Sequence, residues 1–139
     1  MLQHTRRLWR SIVGLPTWVK FWLMVLAGAN MASFAFLHTD TGRWAAIAFA
    51  IVGMINMPMM FIQGGLTRAL SLPHFVWAPL LIHLFPKIVG PSALDHADPE
   101  FLLATALFAV NGISLMFDTL ESVRWLGGRR EILGLAMAR

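Results

Sequence analysis

The stretch FWLMVLAGANMASFAFL, residues 21–37, holds seventeen consecutive residues without a charge and decides the class of the protein. A transmembrane α-helix needs about 20 predominantly apolar residues, so this stretch indicates a helix that crosses a lipid bilayer. Asn30 lies near the centre of the run. Because an amide in hydrocarbon needs a hydrogen-bond partner supplied by the protein, Asn30 predicts that other membrane helices pack against this one.

The composition extends this interpretation to the whole chain of 139 residues. Its residues are 58% hydrophobic and 13% charged, and the mean hydropathy is +0.67. Soluble domains are about 45–50% apolar and about 25% charged. The chain has no cysteine, which excludes disulfides, thiol nucleophiles and thiolate metal ligands. Its net charge of +4 accompanies apolar runs, so anionic lipid headgroups are the expected charged partner, and nucleic acid is not.

Four apolar segments are candidates for membrane spans. The third is short and contains Pro79 and Pro86. It is therefore consistent with a kinked span or with a re-entrant hairpin that does not cross. The chain is expected to form a single domain over residues 1–139. The four segments cover residues 18–37, 44–63, 75–90 and 101–120.

The distribution of positive charges indicates whether the third segment crosses the membrane. If all four segments cross and both termini face the cytoplasm, nine Lys and Arg residues are cytoplasmic, against Arg43 and Lys87 on the other side. If the third segment does not cross, the split is six to five. Since cytoplasmic loops are enriched in Lys and Arg, the sequence predicts an all-α integral membrane protein with four transmembrane helices in a compact bundle. We expect a bacterial inner membrane and cytoplasmic termini. The nine residues are Arg6, Arg7, Arg10, Lys20, Arg68, Arg124, Arg129, Arg130 and Arg139.

Basic amphipathic segments flank the predicted bundle, at residues 1–16 and 122–139. In each segment arginines are interspersed with Leu, Ile and Trp, which is typical of a short helix lying in the membrane interface. We expect the arginines to anchor the chain to anionic headgroups, and docking onto a partner subunit is the alternative. The anchoring residues are Arg6, Arg7, Arg10, Arg129 and Arg130.

Each predicted span carries one strongly polar side chain in its middle half. At a rise of about 1.5 Å per residue, these side chains lie about 10–18 Å from the inner ends of their spans, so we expect all four to meet. Hydrogen bonds between membrane helices are worth about 0.6–2 kcal/mol each, and structural cross-linking is one interpretation. A binding site for a solute at the midplane of the membrane is the other interpretation of these four residues. The four residues are Asn30, Asn56, His83 and Asn111.

His83 has a separate set of interpretations because an intramembrane histidine is a functional candidate. It could hydrogen-bond within the bundle, or it could bind a pigment or a quinone. The other histidines fall in predicted loops or interfaces, which disfavours a haem held by two histidines of this chain. We therefore expect no metal site and no cofactor, with a pigment or quinone near His83 as the alternative.

A second polar group is expected at the inner end of the fourth span. Asp118, Glu121 and Arg124 follow one another at intervals of three residues, the spacing of side chains that pair on a helix surface. We also expect Asp118 to point toward Arg68. That arginine belongs to GGLTRALSLPH, residues 64–74, which is interpreted as a short interfacial turn before the third span.

These features favour a structural function over a catalytic one. No nucleophile, metal or nucleotide motif accompanies the polar residues, so we do not expect an enzyme. We expect a non-catalytic accessory, assembly or scaffold subunit of a larger membrane complex, with other membrane subunits or copies of itself as partners. A small oligomeric transporter or channel that uses the midplane residues is the alternative.

The topology can be tested with reporter fusions at Arg139 and at Ala97. The charge asymmetry predicts that the two reporters lie on opposite sides of the membrane, with the Arg139 reporter in the cytoplasm. Reporters on the same side would contradict a chain that crosses four times.

Overall fold

The computed structural model describes residues 2–135, so Met1 and residues 136–139, including the predicted cytoplasmic Arg139, lie outside the described residues. The described chain is helical and contains no β-strand. Four of its helical segments are long and apolar enough to cross a membrane, which makes this an integral membrane protein. The α-helices are α1 (Leu2–Val13), α2 (Thr17–Ala32), α3 (Asp40–Gln63), α4 (Trp77–Ile88) and α5 (Pro99–Leu126).

Local sequence explains where the spans begin and end. The Thr39 side chain caps α3 by accepting a hydrogen bond from the Gly42 backbone N–H at 3.0 Å. Gly64 ends the same helix in the left-handed conformation at φ +67°, which glycine adopts without steric cost. Asp98 caps α5 and Pro99 follows at its first position, where the missing N–H of proline costs nothing.

The third span begins earlier than predicted. Residues Arg68–Val76 form a 3₁₀-helix that continues directly into α4, and together they make a candidate span of 21 residues. The sequence-based boundary at residue 75 is wrong because the polar residues before it were assigned to a turn. In the structure Ala69 and Ser71 are buried. The residues predicted to form an interfacial turn therefore belong mostly to the span.

The fourth span is longer than predicted, and α5 contacts α2, α3, α4 and the 3₁₀-helix. We call the end of the bundle where α2 begins and α5 ends the inner end, and the opposite end the outer end. In the outer half of the bundle the buried face of α5 is apolar and packs against small residues of α3 and against α4. Burial of such side chains in close-packed contact supplies dispersion energy, which replaces the missing hydrophobic drive between helices in lipid. The buried core consists of Leu26, Ala45, Ala48, Val52, Trp77, Leu80, Leu84, Leu103, Ala104 and Leu107.

Three chain segments meet at the inner end of the bundle, around Ser11. The Ser11 hydroxyl is fully buried, accepts a hydrogen bond from the Leu66 N–H at 3.0 Å and donates one to the Leu133 carbonyl at 2.6 Å. The Leu133 N–H donates to the Leu66 carbonyl at 2.7 Å. Thr67 and Ile132 form an isolated β-bridge beside it. We call these contacts the terminal junction.

The structure of the C-terminal segment differs from the prediction. Residues 122–139 were predicted to form an amphipathic tail, but α5 continues to Leu126 and the following described residues are turns and the bridge. Gly127 and Gly128 follow the last turn of the helix, and Gly128 takes φ +94°. The N-terminal segment does contain the predicted helix, α1. Both described ends of the chain therefore lie at the same end of the bundle.

A Gly14→Ala substitution tests the terminal junction. A Cβ at Gly14 would overlap the Gly134 carbonyl group, and overpacking of this kind costs about 1–3 kcal/mol. We expect a lower unfolding temperature in detergent and faster tryptic cleavage at Arg129 and Arg130. Gly28→Ala is the matched control, since its Cβ would meet no atom within 4 Å. Equal behaviour of the two variants would show that the junction does not form.

Candidate functional site

The buried face of α5 changes from apolar to polar along its length. Leu103, Ala104 and Leu107 occupy this face in the outer half of the helix. From the middle of the helix inward, buried polar side chains continue the same face at intervals of three or four residues. These are Asn111, Ser114, Asp118 and Ser122. We call them the polar face of α5.

Asn30 and Asn111 form a reciprocal pair between α2 and α5. The Asn30 Nδ2 donates to Asn111 Oδ1 at 2.7 Å, and the Asn111 Nδ2 donates to Asn30 Oδ1 at 3.1 Å. The second Asn30 N–H donates to the Leu26 carbonyl at 2.9 Å. Both side chains are 0% exposed. Asn30 lies thirteen residues from the start of α2, about 20 Å along its axis, and Asn111 lies fifteen residues from the end of α5, about 22 Å along that helix. The pair therefore joins α2 and α5 at matching heights in the bundle.

One layer further inward, a chain of hydrogen bonds joins three helical segments. Asn56 Nδ2 on α3 lies 3.1 Å from His74 Nε2 on the 3₁₀-helix, and His74 Nδ1 lies 2.9 Å from Asp118 Oδ1 on α5. Ser114 donates to the other Asp118 oxygen at 3.1 Å. Asp118 is 9% exposed and lies eight residues from the end of α5, about 12 Å along the helix. We call Asn56, His74 and Asp118 the inner triad.

The hydrogen-bond partners of the inner triad fit one tautomer of His74. With its proton on Nδ1, His74 donates to Asp118, and its Nε2 accepts from the Asn56 amide nitrogen, which can only donate. The Asn56 oxygen is buried without a hydrogen-bond partner among the described residues. Such a group is costly in a dry interior.

Trp77 completes the surroundings of His74. The two rings stack with their centroids 4.3 Å apart and their planes 9° from parallel. Trp77 is 1% exposed, and its indole nitrogen, like the Asn56 oxygen, has no partner among the described residues. Two residues that contact His74 thus carry buried polar atoms that have no partner among the described residues.

His83 lies at the opposite, outer end of the bundle. Its Nε2 is 2.8 Å from Asp40 Oδ2, and the same carboxylate oxygen lies 2.9 Å from Lys87 Nζ. Lys87 also pairs with Glu100 at 3.2 Å, and the Thr41 N–H donates to Glu100 at 3.1 Å. These contacts join the first residues of α3 and α5 to the last turns of α4. These ionic contacts hold α3, α4 and α5 together at the outer end of the bundle.

The predicted meeting of all four midplane residues is therefore wrong. The structure brings Asn30 and Asn111 together, but Asn56 pairs with His74 and His83 pairs with Asp40. The depth of His83 was misjudged because the third span was taken to begin at residue 75. The span begins at Arg68, so His83 lies fifteen residues along it and near its outer end.

The inner-end ion pairs differ from the prediction in one member. Arg68 pairs with Glu121, and Arg124 pairs with Glu121 at 2.6 Å. Asp118, which was expected to face Arg68, pairs with His74 instead, because the 3₁₀-helix places His74 against its turn of α5. Arg68 also pairs with Glu131 at 2.9 Å. The pKa of the Glu131 carboxyl lies below its ordinary value because its own backbone N–H and the Arg68 guanidinium hydrogen-bond to the carboxylate.

The sequence interpretation missed His74, Ser71 and Ser122. Ser71 Oγ lies 2.7 Å from Ser122 Oγ, so this pair also joins the 3₁₀-helix to α5. A signal was present on α5, because Ser114 and Ser122 lie four residues on either side of Asp118 and extend the face that begins at Asn111. The partners on the 3₁₀-helix gave no such periodic signal.

Two grooves accompany these polar groups. A groove of about 190 Å³ lies between α2, α5 and the 3₁₀-helix, and His74, Asp118 and Trp22 are among its lining residues. A second groove, of about 360 Å³, lies between α3 and α4, with Trp44 and His83 at its outer end. Both have predominantly apolar walls and can admit lipid chains or other apolar molecules.

The predicted anchoring arginines lie on the surface at the inner end. Arg6, Arg7 and Arg10 are exposed on α1. Arg129 and Arg130 are exposed after α5, and the Arg130 guanidinium lies 5.1 Å from the centre of the Trp125 ring. This is within the range of a cation–π contact. The terminal junction therefore holds both sets of arginines at one end of the bundle.

Metal ligation and family membership give no further assignment. Residues 2–135 contain no group of three His, Asp or Glu side chains placed to hold a metal ion. The chain matches no protein-family model, no characterised protein and no solved structure.

A double-mutant cycle tests the Asn30–Asn111 pair. Asn30→Leu leaves the Asn111 amide unsatisfied, and we expect a loss of about 1–3 kcal/mol in the free energy of unfolding in detergent. Adding Asn111→Leu should cost less than the sum of the two single changes, because the orphaned amide is removed. Asn30→Leu combined with Asn56→Leu is the control and should be additive. Additive energies for Asn30 and Asn111 would contradict the pair.

Proposed function

We propose that this protein is a non-catalytic accessory subunit of a larger membrane complex, and that it docks through the end of the bundle that carries the terminal junction. We place that end in the cytoplasm of a bacterial cell, in accordance with the positive-inside bias. The observation that carries the proposal is the junction itself. It gives the two most basic segments of the chain a fixed position on the bundle.

Charge at this end is concentrated on the surface. Arg68 and Arg124 are neutralised by Glu121 and Glu131, whereas the five exposed arginines of α1 and of the segment after α5, together with Lys20 of α2, carry the remaining positive charge of the described residues at this end. The described part of α1 contains no acidic residue. A positive surface of this kind supports docking against an acidic surface of a partner and accelerates encounter with it.

Apolar side chains lie beside these arginines on α1. Trp9, Ile12 and Val13 are exposed, although the last turn of the helix is tied to the bundle through Ser11. Trp and Arg are the residues that most often dominate the binding energy of protein interfaces. Preorganisation by the junction lowers the entropy lost on binding. The combination supports a partner subunit as the occupant of this surface, with anionic headgroups at its edge.

Extraction of the native complex tests the proposal. In mild detergent, native mass spectrometry should find the chain with a stoichiometric partner of different sequence. The triple change of Arg6, Arg7 and Arg10 to Gln should release that partner while leaving the unfolding temperature of the isolated chain unchanged. Arg43→Gln, at the exposed outer end, is the matched control and should retain the partner.

Two results would contradict the accessory function. The first is a chain that is extracted without a partner of different sequence. The second is a triple variant that keeps its partner at the wild-type stoichiometry.

A small oligomeric transporter or channel is the second candidate, and the polar face of α5 favours it. An ionisable side chain within a membrane span is a functional candidate, usually for an ion or proton path. Asp118 meets this description, and the 190 Å³ groove reaches it. Recovery of a homo-oligomer in the same experiment would favour this candidate over the accessory function.

A further inference from the structure

We propose that the groove between α2, α5 and the 3₁₀-helix binds a lipophilic ammonium ion, with its cationic head against the Asp118 carboxylate and its apolar tail directed along the groove toward lipid. The inference does not rest on the accessory function. The groove lies between membrane-spanning helices and not on the arginine-bearing surface that is proposed to meet a partner subunit.

The Asp118 carboxylate lies at the polar end of this groove. Asp118, His74 and Ser114 all line it. The side chains of His74 and Asp118 are 16% and 12% exposed, although the two residues are packed between helices. Since both residues line the groove, a ligand within the groove can reach the carboxylate.

The groove carries one unbalanced negative charge. Its charged lining residues are Arg68, Asp118 and Glu121, and Arg68 and Glu121 pair with each other. His74 is neutral in the tautomer that fits both of its partners. No lysine or arginine of residues 2–135 forms an ion pair with Asp118. One positive and two negative side chains leave a net charge of −1 on the groove, and a charge in an apolar environment is costly unless it is paired.

The carboxylate retains acceptor sites for an ammonium head. His74 Nδ1 lies 2.9 Å from Asp118 Oδ1, and Ser114 donates to Oδ2 at 3.1 Å. A carboxylate has about four acceptor sites in all, so an ammonium N–H can bind without displacing either neighbour. His74 and Ser114 hold the carboxylate in place, and the ligand brings the positive charge that neither of them supplies.

An aromatic wall faces the carboxylate at the same height. Trp22 lies eight residues inward from Asn30 along α2, about 12 Å. Asp118 lies seven residues inward from Asn111 along α5, about 10 Å. Because the two asparagines are hydrogen-bonded to each other, Trp22 and Asp118 lie in nearly the same layer. Trp22 lines the groove, and its ring centre is 6.3 Å from that of Phe117. Aromatic faces of this kind attract a cation.

The size and the charges of the groove favour an amine with a single chain. Its volume of about 190 Å³ is below the range of about 300–1,000 Å³ for pockets that enclose a drug-sized ligand. The groove therefore holds the head and the first carbons of a chain. Leu23 and Phe117 line it and are 41% and 47% exposed, so the rest of the chain can lie in lipid. An aminophospholipid fits poorly, because its phosphate would meet Asp118 and Glu121 while Arg68 is already paired.

Equilibrium binding of radiolabelled dodecylammonium to the full-length protein in phosphatidylcholine nanodiscs tests the proposal. After subtraction of the uptake by empty nanodiscs, the wild type should bind one amine per chain in a saturable manner at pH 7. Asp118→Asn should weaken this binding at least about tenfold, the effect of removing a charged hydrogen-bond partner. Asp95→Asn removes the same charge from an exposed loop and should bind like the wild type.

Three further variants keep the carboxylate and change the walls. Leu23→Trp fills the groove at the height of Asp118 and should abolish the saturable binding, which tests the site independently of any effect of Asp118→Asn on folding. Trp22→Leu should weaken binding about two- to fivefold, the range of a cation–π contact. Trp18 also lies against Phe117, at 6.5 Å, but does not line the groove, so Trp18→Leu should bind like the wild type.

Matched probes test the chemistry of the head. Dodecanol has the same chain without the charge and should bind the wild type no more tightly than Asp118→Asn. Phosphatidylethanolamine added to the nanodiscs should leave amine binding unchanged, and competition by that lipid would overturn the assignment to a single-chain amine. Amine binding that does not saturate, or that is equal in the wild type and in Asp118→Asn or Leu23→Trp, would overturn the site. These measurements use the isolated chain, so their failure is distinct from a failure to recover a partner subunit.

Discussion

A polar side chain in the hydrocarbon region of a bilayer must find its hydrogen-bond partner within the protein, since lipid chains offer none. The helix α5 carries four such side chains on one face, and each contacts a polar partner: Asn111 contacts α2, Asp118 and Ser122 contact the 3₁₀-helix, and Ser114 contacts Asp118. Apolar packing alone does not determine which residues of two membrane helices lie opposite each other. The hydrogen bonds of the polar face of α5 determine this register.

The two ends of the bundle are closed by different means. At the outer end Lys87 joins Asp40 and Glu100, so ionic contacts hold α3, α4 and α5 together. At the inner end Ser11 joins α1, the connection after α3 and the segment after α5 through backbone groups. Between them, hydrogen bonds across the bundle contribute about 0.6–2 kcal/mol each. Their greater effect is to exclude alternative helix registers, because a one-residue slip would leave Asn30, Asn111 and Asp118 without partners.

The sequence alone was sufficient to predict the class of fold and the contact between Asn30 and Asn111. Apolar runs located four spans, and residue counts placed Asn30 and Asn111 at similar depth. The depth of His83 was misjudged because a depth estimate depends on where a span begins, and Pro73 and the polar residues around it concealed the start of the third span. The partner of Asn56 was missed because His74 was assigned to the turn before that span. The terminal junction could not be predicted, since it depends on contacts between residues 55 to 122 positions apart.

The central claim is that the 3₁₀-helix of the third span lies in register against the polar face of α5, and cysteine cross-linking tests it most directly. The chain has no native cysteine, so any disulfide comes from an introduced pair. Ser71 and Ser122 have their hydroxyl oxygens 2.7 Å apart, and replacing both with cysteine should give a disulfide on mild oxidation in membranes. Pairing Ser71→Cys with Ser114→Cys, eight residues and about 12 Å away along α5, should give none. Equal cross-linking of both pairs, or cross-linking of the second pair alone, would contradict this register.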